Sequence, residues 1–150
     1  MIYTHTQSRP ELPTLLVIVA ACAAGAALLL GEPALLFITG GFAFSGGLNF
    51  ALSSLTTTVT ADEVTAAFRF GWPRRRIARH RLLSAEVVRN RWWYGIGIRL
   101  IPAGWMYNVW GLDAVQLTID GKAGFRIGTD DPHGLAAALD TPANEPSGRP

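Results

Sequence analysis

The chain has 150 residues, of which 49% are hydrophobic and only 16% are charged, and its net charge is +2. Such a composition is typical of a partly membrane-embedded protein, and it leaves about 85 residues for one small folded core and excludes a second. The single cysteine, Cys22, excludes an internal disulfide and a cysteine-based metal site.

Two long apolar runs follow a short polar arm of residues 1–11. They cover residues 12–30 and 33–55, and Glu32 is the only charged residue between residues 12 and 55. A bilayer core takes about 20 apolar helical residues to cross. The sequence therefore predicts a transmembrane helical hairpin that turns at Gly31, Glu32 and Pro33.

Arginine flanks this hairpin on both sides and is missing from its turn. Arg9 precedes the first run, and nine arginines lie between Arg69 and Arg99. Under the positive-inside rule both termini are cytoplasmic. We therefore expect a multi-pass protein of the bacterial inner membrane.

Small residues recur in the second run at the spacing used for close helix packing. The candidate packing residues are Thr39, Ala43, Gly47 and Ala51, together with Asn49. The pattern fits packing of the hairpin against itself or a homo-oligomer interface, and we favour the first.

From residue 56 onward the apolar residues alternate, which is typical of strands. The pattern predicts seven short antiparallel strands, and Thr129, Asp130, Asp131 and Pro132 then supply the cap and first turn of a C-terminal helix. The expected fold class is a membrane α-helical hairpin plus a small mainly-β domain over residues 56–140, a barrel or sandwich. Residues 141–150 are expected to form a disordered tail.

Four segments resemble bacterial membrane-anchored proteins with a pleckstrin-homology-like domain. They are residues 59–64 (VTADEV), 70–77 (FGWPRRRI), 97–109 (GIRLIPAGWMYNV) and 125–132 (FRIGTDDP). The resemblance implies a seven-stranded antiparallel barrel or sandwich with a C-terminal helix. It implies no catalytic or lipid-headgroup residue.

The basic cluster is the main candidate site. We expect it to contact an anionic membrane surface through Arg74, Arg75, Arg76, Arg79 and Arg81, aided by Trp72, Trp92 and Trp93. Alternatively, the arginines only set topology and protect an edge strand, while tryptophans fill the core. One of Trp105 and Trp110 is expected to point inward. The neighbouring hairpin favours lipid over nucleic acid as the partner.

Enzyme chemistry finds little support, because the three histidines are scattered and no phosphate loop or metal-ligand spacing occurs. We expect no cofactor and no metal. The sequence predicts a non-catalytic binding or scaffolding module whose partner is lipid or another protein, with homo-oligomers possible. The alternative is an accessory subunit of a membrane transporter or envelope enzyme that docks through its hairpin.

Overall fold

A computed structural model describes residues 2–9, 11–31 and 33–140 of the chain. These residues form nine strands, three α-helices and two short 3-10 turns. In chain order the elements are β1 (Tyr3–Ser8), α1 (Glu11–Leu30), α2 (Pro33–Ala51), β2 (Ser54–Val59), β3 (Glu63–Phe68), β4 (Arg74–Ala78), β5 (Leu82–Arg89), β6 (Gly97–Ile101), β7 (Gly104–Asn108), β8 (Asp113–Ile119), β9 (Phe125–Gly128) and α3 (Pro132–Asp140). The 3-10 turns are Arg79–Arg81 and Trp92–Tyr94.

The first four strands form an antiparallel sheet in the order β1-β2-β3-β4. Side chains alternate between its two faces because successive residues of a strand point to opposite sides. Val59, Val64 and Ile77 lie in one row across the sheet and are buried. The opposite face carries hydroxyl groups, and Thr6 and Thr56 share a hydrogen bond of 2.9 Å there.

The remaining strands form a second sheet in the order β5-β8-β9-β7-β6. All its pairs are antiparallel except β7 and β9, which run parallel with Trp105 opposite Phe125. The inner faces of the two sheets meet in one core, where the Phe68 and Tyr107 rings lie 5.1 Å apart. α3 closes this core with Leu135 and Leu139. The result is a two-sheet sandwich closed by one helix.

The predicted polar arm is a strand. Tyr3, His5 and Gln7 pair opposite Val59, Thr57 and Leu55, so β1 extends the first sheet. Side chains along the segment alternate between more and less exposed positions, as expected of a strand. Its residues are mostly polar, so hydrophobic alternation in the sequence did not reveal it. The second helix also ends earlier than residue 55, because Ser54 and Leu55 already belong to β2.

α1 and α2 follow β1 and precede β2 in the chain, and the two helices pack against each other. Within the described residues, no helix has both the length and the hydropathy that a bilayer crossing requires. Alanine and glycine fill most of residues 20–27 of α1, and glycines with Asn49 dilute α2. These residues offer less apolar surface than leucine or phenylalanine. The predicted transmembrane hairpin is therefore contradicted, and with it the multi-pass inner-membrane localisation with cytoplasmic termini.

The predicted fold class is wrong as well. In place of a membrane hairpin with a seven-stranded antiparallel domain, the described residues form an α/β protein with three helices and two sheets. The described part of the chain has nine strands where seven were predicted, and β1 is one strand that the prediction missed. The β7–β9 pair is parallel, whereas all strands were predicted to be antiparallel. The predicted turn residue Glu32 and the predicted tail at 141–150 lie outside the described residues.

Candidate anion-binding cleft

The basic cluster is centred on β4, an edge strand of the first sheet. Alternation along this strand sends Arg74 and Arg76 to the outer face, where both are exposed. Arg75 lies between them and is half-buried on the inner side, in register with Ala66. The five arginines of the cluster therefore do not share one surface.

Two of the arginines stabilise the fold. Arg79 donates to the Leu139 carbonyl of α3 at 2.8 Å and to the Thr60 carbonyl at 3.2 Å. A cation at the last carbonyls of a helix also opposes the negative end of the helix dipole. Arg81 donates to the Asp120 carbonyl at 3.1 Å and so lies against the turn between β8 and β9.

A cavity of about 330 Å³ opens between β4 and this turn. Arg75, Arg76, Arg81 and Lys122 line it, and Ile77, Ala78 and Ile119 form the rest of its wall. We call it the cationic cleft. Among the described residues that line it, none carries a carboxylate. Four clustered cations without a counter-charge favour an anionic occupant.

Two cations of the cationic cleft are available to a ligand. Within residues 2–9, 11–31 and 33–140, the side chains of Arg76 and Lys122 make neither a hydrogen bond nor an ion pair. Arg76 belongs to β4 of the first sheet and Lys122 to the turn after β8 of the second sheet, so each sheet contributes one of these cations to the lining. An anion between them would be bound from two sides.

A second cavity of about 370 Å³ adjoins the cationic cleft, and Arg75 lines both. Ile98, Trp105, Tyr107 and Phe125 form its wall, and we call it the aromatic cavity. The Tyr107 and Phe125 rings meet edge to face with centroids 5.0 Å apart. Burial raises the pKa of Tyr107, and the positive charge of Arg75 partly offsets that rise.

Trp105 is 46% exposed and Trp110 is 50% exposed, so neither tryptophan fills the core as expected. β6 and β7 lie at the end of a five-stranded sheet that faces only four strands. The inner face near Trp105 and Leu100 therefore remains partly uncovered, and this uncovered strip becomes the wall of the aromatic cavity.

The other predicted tryptophans lie elsewhere. Trp72 is 77% exposed beyond β3, and Trp92 and Trp93 pack against each other in a 3-10 turn with centroids 5.7 Å apart. Arg91 stacks over the Trp93 ring at 5.1 Å. None of the three lines either cavity.

A smaller cavity of about 200 Å³ at the base of the helical hairpin also contains two cations, Arg9 and Arg99. Both have partners already. Arg9 lies 3.3 Å from the centroid of the Trp110 ring, and Arg99 donates to the Ile96 carbonyl at 3.2 Å. This cavity is therefore a weaker anion site than the cationic cleft.

The predicted packing residues lie on different sides of the hairpin. Among the described glycines of the two helices, Gly46 is the one whose added Cβ would meet the neighbouring helix, 3.5 Å from Leu16 Cβ. Ala43 and Gly47 line an open groove together with Gly46, Val17, Ile18 and Phe50. Thr39 and Ala51 are half-buried, and Asn49 donates to the Ser45 carbonyl of its own helix at 2.9 Å.

The acidic pair is engaged in the fold. Asp131 caps α3 by accepting the Gly134 N–H at 3.0 Å, while Asp130 contacts His5. Among the described residues, no group of three or more histidine, cysteine, aspartate or glutamate side chains is placed to hold a metal ion.

Lys122 and Tyr107 are site residues that the sequence did not single out, and Trp105 was considered only as a core residue. The signal for Lys122 was present, because it is the only lysine of the chain and sits in a tight turn.

No family model, curated protein or solved structure matches this chain. The resemblance to pleckstrin-homology-like proteins stays a prediction from the sequence.

Proposed function

We propose that this chain is a non-catalytic binding module that recognises a phosphate-bearing ligand in the cationic cleft. The observation that supports this most directly is a cavity of about 330 Å³ that Arg75, Arg76, Arg81 and Lys122 line without any lining carboxylate. Arginine and lysine are the usual partners of phosphate, through forked hydrogen bonds and point charge respectively. The volume lies at the lower end of the range for small-molecule sites, about 300–1,000 Å³.

The phosphate group could belong to a lipid headgroup or to a soluble compound. The test therefore has two arms on the purified full-length chain. One arm measures binding of inorganic phosphate by equilibrium dialysis, and the other measures co-sedimentation with vesicles of phosphatidylglycerol and phosphatidylcholine in equal parts. Binding in both arms should weaken with added salt, because exposed charges are screened.

The double variant Arg76→Ala with Lys122→Ala removes the two cations without fold contacts, and binding should fall by about tenfold or more. The matched control is Arg74→Ala with Arg89→Ala, because both residues are exposed and neither lines the cavity. Both variants lose the same net charge. Equal loss in the two variants, or no phosphate binding at low salt, would refute a defined site.

Self-association through α1 and α2 is a second candidate function. Large apolar side chains are unusually exposed there, with Leu28 80%, Leu29 88%, Phe37 84% and Phe44 76% exposed. Several large exposed apolar side chains on one helical pair are typical of an interaction site. The occupant that fits is a second copy of the same hairpin, because Glu32 is the only charged residue between residues 12 and 55 of the sequence.

The dimensions of the hairpin suit this partner. Two helices of about 20 residues present a face on the order of 30 by 20 Å, or roughly 600 Å². Stable interfaces bury about 800 Å² per partner, so two hairpins packed as a four-helix bundle approach that requirement.

Gly47→Leu tests this reading, since Gly47 lines the open groove and an added Cβ meets nothing within 4 Å in its own chain. Sedimentation velocity of the full-length chain should show a dimer that Gly47→Leu shifts towards monomer. Gly25→Leu is the control, because Gly25 has the same free space and lies outside the groove. A monomeric parent chain, or equal effects of both substitutions, would overturn self-association.

A further inference from the structure

The cationic cleft and the aromatic cavity are neighbours that share one side chain. Arg75 lines both, and its guanidinium carbon lies 6.0 Å from the centroid of the Phe125 ring. A ligand with its phosphate beside Arg75 would therefore have its next few atoms at the mouth of the aromatic cavity.

The wall of the aromatic cavity is suited to a ring. Trp105 is half-exposed while Tyr107 and Phe125 are buried behind it, and the rings of the buried pair are locked edge to face. Register fixes Trp105 beside Phe125, across the parallel β7–β9 pair. Aromatic rings bind each other in stacked or edge-to-face arrangements, so a ligand ring would meet a preformed surface.

The charge around both cavities selects among ring types. Among the described residues that line the aromatic cavity, Arg75 is the only charged one. A cation at the junction favours an electron-rich ring face and repels a cationic ring. The surroundings therefore suit a neutral or anionic aromatic compound.

We infer that the ligand is a small aromatic phosphate, a molecule in which a ring lies next to a phosphate group. The phosphate is held by Arg75, Arg76 and Lys122, and the ring lies against Trp105. This inference rests on the proposed phosphate-binding function and adds the chemical class of the ligand.

Three probes of graded structure test it on the full-length chain: inorganic phosphate, n-hexyl phosphate and phenyl phosphate. Both esters add six carbon atoms, so they differ in the ring. Stacking of a ring on an aromatic side chain is worth about a tenfold gain in affinity or more. Phenyl phosphate should therefore bind about tenfold more tightly than inorganic phosphate, and more tightly than hexyl phosphate. Its binding should also change the fluorescence of Trp105.

Trp105→Ala should remove the gain for phenyl phosphate and leave binding of inorganic phosphate within about twofold, because the cations are untouched. Trp92→Ala is the matched control, since Trp92 is exposed and lines neither cavity. Unchanged binding of inorganic phosphate by Trp105→Ala also shows that the variant is folded.

The outcomes separate the two proposals. If inorganic phosphate binds through Arg76 and Lys122 but phenyl phosphate gains nothing, or hexyl phosphate gains as much, the aromatic ligand class is wrong and the phosphate site stands. Equal losses in Trp105→Ala and Trp92→Ala also overturn it. If no phosphate compound binds, both proposals fail.

Discussion

The Tyr3 hydroxyl donates a hydrogen bond of 3.0 Å to Asp131 Oδ2, which connects the first strand to the N-terminus of the last helix. The other carboxylate oxygen of Asp131 accepts the Gly134 N–H of the same helix. One carboxylate therefore caps α3 and fastens β1 to it. Since β1 is an edge strand, this contact helps to hold the start of the chain in place.

Tyr3→Phe should lower the free energy of unfolding by roughly 1.5–3 kcal/mol, because it removes a hydrogen bond to a charged group while keeping the ring. Urea denaturation followed by circular dichroism measures this change. Thr4→Ala, on the exposed face of the same strand, is the control and should change stability by less than about 0.5 kcal/mol. Equal changes in the two variants would show that the hydroxyl contributes nothing specific.

The same contact predicts a loss of stability at alkaline pH. Burial raises the pKa of Tyr3, and the hydrogen bond and negative charge of Asp131 raise it further. The folded chain therefore holds the Tyr3 proton more tightly than the unfolded chain, whose tyrosine pKa is about 10. The resulting stabilisation is complete below that pH and declines as the pH rises above it. Tyr107 shifts in the same direction.

Unfolding free energies measured at several pH values from about 8 to 11 should fall more steeply in the parent chain than in Tyr3→Phe. The two curves should converge as the pH rises, because the variant has no Tyr3 proton to lose. Parallel curves would contradict the assigned role of this hydroxyl.

Local sequence patterns predicted the strands well and the membrane hairpin wrongly. The alternation of Val64, Ala66 and Phe68 with their neighbours predicted a strand with one buried face, and the structure confirms this. The lengths of the two apolar runs also located α1 and α2 to within a few residues. The same run lengths predicted that both helices cross a bilayer, but the described residues contain no helix that is long and apolar enough to do so.

Only part of the candidate site could be predicted from the sequence, because its residues come from two different sheets. Arg75 and Arg76 stand out as part of a charge run, whereas Lys122 lies 46 residues beyond Arg76 in the chain. The turn after β8 brings Lys122 to the edge of β4 only when the sheets pack. The half-exposed position of Trp105 likewise depends on one sheet being wider than the other. Neither relationship has a local signature.

Arg79 and Arg74 should differ sharply in their contribution to stability, although they belong to one charge run. Arg79→Ala leaves the Leu139 and Thr60 carbonyls without their donor and should cost about 1–3 kcal/mol of unfolding free energy. Arg74→Ala removes an exposed side chain and should change it by less than about 0.5 kcal/mol. Thermal melts of the two variants, which carry the same net charge, give the comparison. Similar melting temperatures would show that Arg79 is not a fold contact.

Gly104 should tolerate no side chain. Its φ of +116° is unfavourable for other residues, and an added Cβ would overlap the Gly124 carbonyl oxygen at only 1.8 Å. The turn that begins β7 therefore packs directly on the backbone before β9. Gly104→Ala should cost more than about 3 kcal/mol or prevent folding, since backbone cannot move aside as a side chain can.

Gly71→Ala separates this clash from conformational strain alone. Gly71 also has a positive φ, +73°, but nothing lies within 4 Å of its added Cβ. Gly71→Ala should therefore lower the free energy of unfolding by about 1–2 kcal/mol, the penalty for a left-handed conformation. Chemical denaturation measures the free energy of unfolding of both variants. The difference between their losses gives the cost of the clash between the turn and the backbone preceding β9. The close approach of the turn to this backbone positions Trp105 beside Phe125, so a Gly104→Ala chain that still folds should also lose the affinity gain of phenyl phosphate over inorganic phosphate.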